Sequence, residues 1–346
     1  MTARHDIRRL TRFAASLFER SGMPADRART VARLLIDADM MGHDTHGLNL
    51  APQYLAALAA GEMPATGEPK RLSDTGPVVL WDGQYLSGVW LVDAAMDLAL
   101  GRAREFGMCA VGIRRSGHIA CLQSFLTKAT DQGFLVLLLS SDPAAKGVAP
   151  PGATEAIYTP NPIAVGIPTD ADPVLIDISC SITTMGLAGR KKAEAARLPG
   201  AWLVDADGKP TDDPAAGVAL LPLGGTDSGH KGFGLGLMVE AMTSALGGFG
   251  RKDGPGQHGA SVTLLLFDPD AFGGRQDFLA ETSFLASACR AANVPEGSAE
   301  VRIPGARGLA AHREALANGV TLYPGIMERL EEWATRLGVD RPQPLN

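Results

Sequence analysis

Apolar residues recur with helical spacing through the N-terminal part of the chain. Ile7, Leu10, Phe13, Ala14, Leu17 and Phe18 predict a first helix. Pro24 suits a first helical turn; Val31, Leu34, Leu35 and Ala38 supply the apolar face of a second helix, and Gly42 suits its stop. A third helix is expected from about Leu48 to Ala60, ended by Gly61, and the Pro- and Gly-bearing stretch 63–75 reads as a connection.

The pattern then becomes mixed. Leu91–Glu105 predicts a helix, Cys109–Ile113 a short apolar strand, Ile119–Asp131 a helix and Phe134–Ser140 a fully apolar strand. This reads as a βαβ unit with the segment Arg114–His118 at the end of its first strand, where ligands tend to gather. Strands are expected at 163–168 and 173–179, a hairpin near 202–214, a helix over 232–246 and a strand over 261–267. The remainder reads as helices at about 275–292, 307–317 and 323–337.

With 346 residues the chain exceeds the usual size of a single growing core, so more than one lobe is expected. Hydrophobic residues at 45% and charged residues at 20% are a globular balance. The net charge of −6 gives no general attraction to nucleic acid or an anionic membrane. Cys109, Cys121, Cys180 and Cys289 form neither a CxxC pair nor a disulfide framework, which fits a reducing compartment, the cytoplasm. The charged N-terminal stretch lacks the apolar run of a signal peptide, and no stretch is long and apolar enough to predict a transmembrane helix.

Five segments could carry chemistry. His118, just past a buried strand, is placed for proton transfer, since imidazole titrates near neutrality; the bland reading is a local hydrogen bond at a helix start. Asp142 closes the next strand of the same unit, where it could reach His118 and fix its tautomer, or simply make a turn before Pro143. His43 and His46 lie in the break between two helices, with Asp44 and Thr45 as capping candidates; no third ligand argues for a metal. Gly229–Gly234 opens a helix rather than following a strand, so it is no Rossmann fingerprint; a helix start with Lys231 suits a pyrophosphate, and close helix packing is the alternative. Asp177–Ser181 ends a buried strand with small polar residues.

On these segments the chain resembles the malate/L-lactate dehydrogenase family, which lacks the Rossmann motif and includes ureidoglycolate and sulfolactate dehydrogenases and the piperideine- and pyrroline-2-carboxylate reductases. The matching stretches run in order at 38–63, 114–125, 140–168, 175–181, 200–214, 229–248 and 304–308. The resemblance implies an α/β fold: a cofactor lobe on a largely antiparallel mixed sheet flanked by helices (76–300), with a helical lobe from both termini (1–75 and 301–346). It implies NAD or NADP as cofactor and a homodimer whose active site borders the partner. It makes His118 the acid/base, Asp142 its partner and His46 a proton donor. Thr45, Tyr54, Asn49 and Arg115 fall to the substrate. Asp177, Ser179, Ser181, Asn161, Lys231, Gly232, Pro304, Gly305 and Arg307 fall to the cofactor.

The chain also departs from the family pattern. Leu50 stands where an arginine usually grips a substrate carboxylate, with Asn49 beside it. Gly117 replaces the Asn before the catalytic histidine, Gly186-Leu187 replaces a Gly-Lys, and Lys146-Gly147 is added after Asp142. Arg115 or Lys146 could supply the missing charge. The implied activity is hydride transfer between a nicotinamide and a small polar 2-hydroxy or 2-keto acid, of an unusual kind. The alternatives are reduction of a C=N bond, and a cofactor-binding scaffold without catalysis.

Overall fold

A computed structural model describes residues 3–345 of the chain. β1 (Arg4–His5) leads into α1 (Ile7–Arg20), whose first turn is capped by Asp6 accepting from the Arg9 amide at 2.8 Å. α2 (Ala25–Met40) and α3 (Ala51–Ala60) follow, and Gly61 closes α3 in the left-handed conformation. β2 (Lys70–Asp74), β3 (Val78–Asp82) and α4 (Gly88–Phe106) come next. The stretch read as a connection thus contains an edge strand. β2 is polar and largely exposed, and exists by pairing with β3, which hydrophobic spacing does not reveal.

β4 (Met108–Ser116) is longer than its apolar kernel, so Arg114 and Arg115 stand on the strand itself. α5 (Gln123–Thr130) starts four residues later than expected, because the segment after His118 is irregular and Ala120 has a φ of 57°. β5 (Leu135–Ser141), β6 (Ile163–Ile167) and β7 (Val174–Ile178) lie close to expectation. α6 (Met185–Ala193) was not foreseen; it buries no residue and so carries no apolar stripe. β8 (Leu203–Asp205) and β9 (Pro210–Thr211) form the expected hairpin, and β10 (Gly217–Leu220) pairs on its other side.

α7 (Gly225–Glu240) starts early, breaks at Ser228, and passes into a π-helical turn over Ala241–Ala245. β11 (Ala260–Phe267), α8 (Arg275–Arg290), α9 (Ala306–Asn318), β12 (Val320–Thr321) and α10 (Ile326–Leu337) complete the chain.

Seven strands form one mixed sheet in the order β2-β3-β4-β11-β5-β6-β7, antiparallel except for β3–β4. This corrects the simple βαβ reading. β4 and β5 point the same way but are not neighbours; β11, from far along the chain, is inserted between them. The ends bearing His118 and Asp142 are therefore one strand further apart than adjacency implied. The chain ends meet through β1–β12 pairing, and α10 packs on α1 and α3. One buried cluster runs from these helices into the sheet, joining Leu10 and Leu330 to Phe125, Val111 and Leu264.

Candidate active site

Between α3 and the sheet lies a cavity of about 750 Å³. Tyr54 lines it from α3, His118 and Asp142 from the ends of β4 and β5, and Gln257 and His258 from the loop before β11. The His118 turn is held by close backbone contact. The Gly117 amide donates to the Leu86 carbonyl at 2.8 Å, and a Cβ on Gly117 would sit 2.7 Å from that oxygen. Glycine is the residue this contact admits at position 117.

The His118 ring is open to the cavity. Its Nδ1 lies 2.7 Å from the Tyr54 hydroxyl and 3.3 Å from the Ala120 amide, which can only donate. The same hydroxyl lies 3.4 Å from the His118 carbonyl oxygen. His46 stacks on His118 with ring centroids 6.2 Å apart, and its Nδ1 lies 2.8 Å from the Thr45 hydroxyl. Desolvation first, then the neighbouring His46, lowers the His118 pKa to about 4. Desolvation, then His43, lowers that of His46. Burial raises that of Tyr54. Both imidazoles are neutral at pH 7, and the phenol keeps its proton. Beneath the His46 turn, Asp39 is buried and accepts from the Leu48 amide at 2.7 Å; burial pushes its pKa up to about 8.

Asp142 shares the cavity with His118, yet the hydrogen bond expected between them is not formed. Its Oδ2 lies 3.1 Å from His258 Nδ1 and its Oδ1 accepts from the Ala144 amide at 2.9 Å. Behind it Arg251 donates to the Asp142 carbonyl at 2.9 Å and to Glu240 at 2.8 Å. The inserted β11 accounts for this geometry, since it spaces the two strand ends apart. His258, Gln257, Arg251 and Asp39 were missed by sequence reasoning. A Gly-rich polar loop carries no pattern, and an arginine 109 residues from its partner carries no spacing signal.

Other expected site residues are otherwise engaged. Arg115 and Arg114 both pair with the buried Asp82, and Arg115 is not among the cavity-lining residues. Burial opposes the Asp82 carboxylate, but hydrogen bonds from Arg115, the Gln84 amide and Arg114 outweigh it and lower its pKa. Asn49 accepts from Arg329 of α10 and is not among the cavity-lining residues. Leu50 packs against the core.

On the cofactor side, Asn161 is buried and its side chain is already engaged, donating to the Gly236 carbonyl at 3.0 Å and so tethering α7. Gly232 is also structural. Its amide donates to the Leu223 carbonyl at 3.1 Å, and a Cβ would lie 2.4 Å from the Leu223 nitrogen, which favours the close-packing reading. Lys231 is exposed. Asp177 accepts from the Gln123 amide at 3.0 Å and so caps α5. Ser179 donates to the Ser181 carbonyl at 3.0 Å, and Ser181 to that of Thr183 at 2.6 Å. The Pro304 carbonyl accepts from the Leu175 amide at 3.0 Å, which brings the 304–307 turn to β7; Gly305 is the N-cap of α9 and Arg307 is exposed.

The residues around β7 fit a nucleotide. Gln123 Nε2, Ser124 Oγ and Thr183 Oγ1 are buried polar atoms without partners, at the start of α5 and after β7. The start of α9, which has no side-chain cap, stands against the same strand. Among the described residues no cluster of three or more His, Cys, Asp or Glu could hold a metal, and no helix is long and apolar enough to cross a membrane.

The Malate/L-lactate dehydrogenase family model matches residues 5–331. The (2R)-3-sulfolactate dehydrogenase (NADP(+)) of Chromohalobacter salexigens is 31% identical, over 95% of this chain and 97% of its own. The malate dehydrogenase of Pyrococcus horikoshii is 27% identical, over 96% and 95%; its solved structure has a TM-score of 0.87, covering 98% and 97% at 25% identity. The solved delta1-piperideine-2-carboxylate reductase of Pseudomonas syringae pvar. tomato has a TM-score of 0.83, covering 96% of this chain and 100% of its own at 28% identity. With its full-length match and shared fold, this chain belongs to the malate/L-lactate dehydrogenase family.

Proposed function

We propose that the chain is an NAD(P)-dependent dehydrogenase of small 2-hydroxy acids, with His118 as its acid/base. The observation that carries this reading is the His118 ring, open to the cavity and held at Nδ1 by the Tyr54 hydroxyl at 2.7 Å. Bound nicotinamide supplies the hydride acceptor or donor. The protein's task is to move the proton. When the Tyr54 proton turns to Nδ1, together with the Ala120 amide, the neutral ring carries its proton on Nε2 and can donate a hydrogen bond to a carbonyl oxygen. Oxidation needs the other tautomer, which requires the Ala120 amide to release Nδ1: with the Tyr54 proton turned to the His118 carbonyl, the Tyr54 oxygen then accepts Nδ1–H and Nε2 is left bare as the base that takes the hydroxyl proton. The depressed pKa makes the imidazolium formed in oxidation a ready acid for the reverse step. Here Tyr54 holds the tautomer, the part that sequence reasoning gave to Asp142. His46 and Thr45 form the wall beside the ring.

Cofactor contacts are assigned to Gln123, Ser124 and Thr183, whose unpaired polar atoms support the reading, with Ser179, Arg307 and Lys231 at its edges. A homodimer in the cytoplasm belongs to the same proposal. Leu237, Met238 and Leu246 are exposed along α7 and its π-turn, and Cys109, Cys121 and Cys180 are buried and unpaired. Steady-state assays of 2-hydroxy acids with NAD⁺ and NADP⁺ test the activity; no turnover of any of them by wild type refutes it. Similarity to the piperideine-2-carboxylate reductase supports a second reading, C=N reduction at the same histidine, which assays of cyclic imines with NADH and NADPH decide.

A further inference from the structure

The corner of the cavity away from His118 is built around a carboxylate. Asp142 points into it, with Oδ2 at 3.1 Å from His258 Nδ1. Glu62 lies on the rim, where its carbonyl accepts from Gln257 Nε2 at 2.5 Å, tying the loop that carries His258 to the end of α3. Among the described residues that line the cavity there is no lysine or arginine. The arginines packed around this corner are used elsewhere: Arg251 on Glu240 and the Asp142 carbonyl, Arg115 on Asp82.

An anionic group placed beside Asp142 would meet a like charge, and among the cavity-lining residues of this corner only the His258 ring could offset it. A hydroxyl, amide or ammonium would instead donate to Asp142, and the oxygen of a hydroxyl or amide could also accept from His258. We infer that Asp142 and His258 form a specificity subsite selecting a 2-hydroxy acid whose far substituent is a neutral or cationic hydrogen-bond donor and rejecting one that bears a second anionic group. The inference rests on the proposed dehydrogenase reading and names its substrate class.

An isosteric pair tests it. L-malate and its β-amide differ only in the far group, carboxylate against carboxamide. For the full-length protein with NAD⁺ and NADP⁺, kcat/KM is expected to favour the amide by about 10- to 100-fold, the range of a hydrogen bond to a charged group. His258 sits on an exposed loop outside the acid/base machinery. His258→Arg is expected to raise kcat/KM for malate by about 10-fold and to shrink the amide preference, because the new cation stands beside the far group. Equal or better use of malate by wild type, or an unmoved ratio in His258→Arg, overturns the inference. Calorimetric binding of the same two compounds to the protein with reduced cofactor reads the preference without turnover. Selective amide binding with no oxidation of either compound therefore counts against the activity and for the subsite, and equal binding counts against the subsite alone.

Discussion

The two ends of the cavity manage charge in opposite ways. At the His118 end, titratable groups are kept neutral: both imidazoles have lowered pKa values, the Tyr54 phenol a raised one, and no ion pair is formed by His118 or Tyr54 among the described residues. At the Asp142 end, polar groups are tied by hydrogen bonds and an ion pair: His258 Nδ1 lies 3.1 Å from Asp142, and Arg251 bridges Glu240 and two backbone carbonyls. A neutral imidazole takes up and returns a proton without rearranging an ion pair. A fixed and compensated carboxylate recognises a shape and a charge. On the proposed reading one cavity separates proton transfer from selection, and each end can be broken independently of the other.

The largest expected effect is at the neutral end. His118→Ala should lower kcat by about 10²–10⁴ while NAD(P)H still binds, seen by steady-state turnover beside a fluorescence titration. Turnover within a few-fold of wild type would remove the histidine from the mechanism. Gly47→Ala tests the support beneath His46. A Cβ there would lie 2.3 Å from Asp39 Oδ1, so a destabilisation of about 1–3 kcal/mol is expected from thermal or urea unfolding. Tyr54→Phe should lower kcat by about 10-fold, one hydrogen bond's worth, with KM little changed. A rise in KM alone would make Tyr54 a substrate contact instead of a holder of the tautomer.

The pH dependence gives a smaller and more specific check. The folded His118 pKa lies at about 4, below the ordinary 6.5. Its basic form therefore persists through neutral pH, and the oxidation rate should show no His118 limb between pH 8 and 6. A limb near 6.5 that vanishes in His118→Ala would contradict the neutral-end description. The linked stability has a definite sign. The unfolded chain binds the proton at higher pH than the folded one, so stability falls as pH drops from about 6.5 towards 4. His118→Ala should flatten that slope in urea titrations.

Much of this site was legible in the sequence. His118, Asp142 and His46 stand at element ends that spacing and Gly or Pro punctuation mark, Thr45 and Tyr54 were named as substrate residues by the family resemblance, and all five gather around two stacked imidazoles or the cavity beside them. The helices α1, α2 and α3, the apolar strands β5 and β11 and the β8–β9 hairpin follow from side-chain periodicity. What the sequence could not order was the sheet. Strand pairing is a contact between segments far apart in the chain, and no local spacing encodes that β11 enters between β4 and β5. That insertion left Asp142 beside His258 and Arg251, and it is the Tyr54 hydroxyl, from another layer, that lies against His118 Nδ1. Tertiary packing likewise buried Asn161 and turned Gly232 inward, because small polar residues at strand ends look alike until something covers them. The residue types for proton transfer are written locally; which of them share a hydrogen bond is decided by long-range topology.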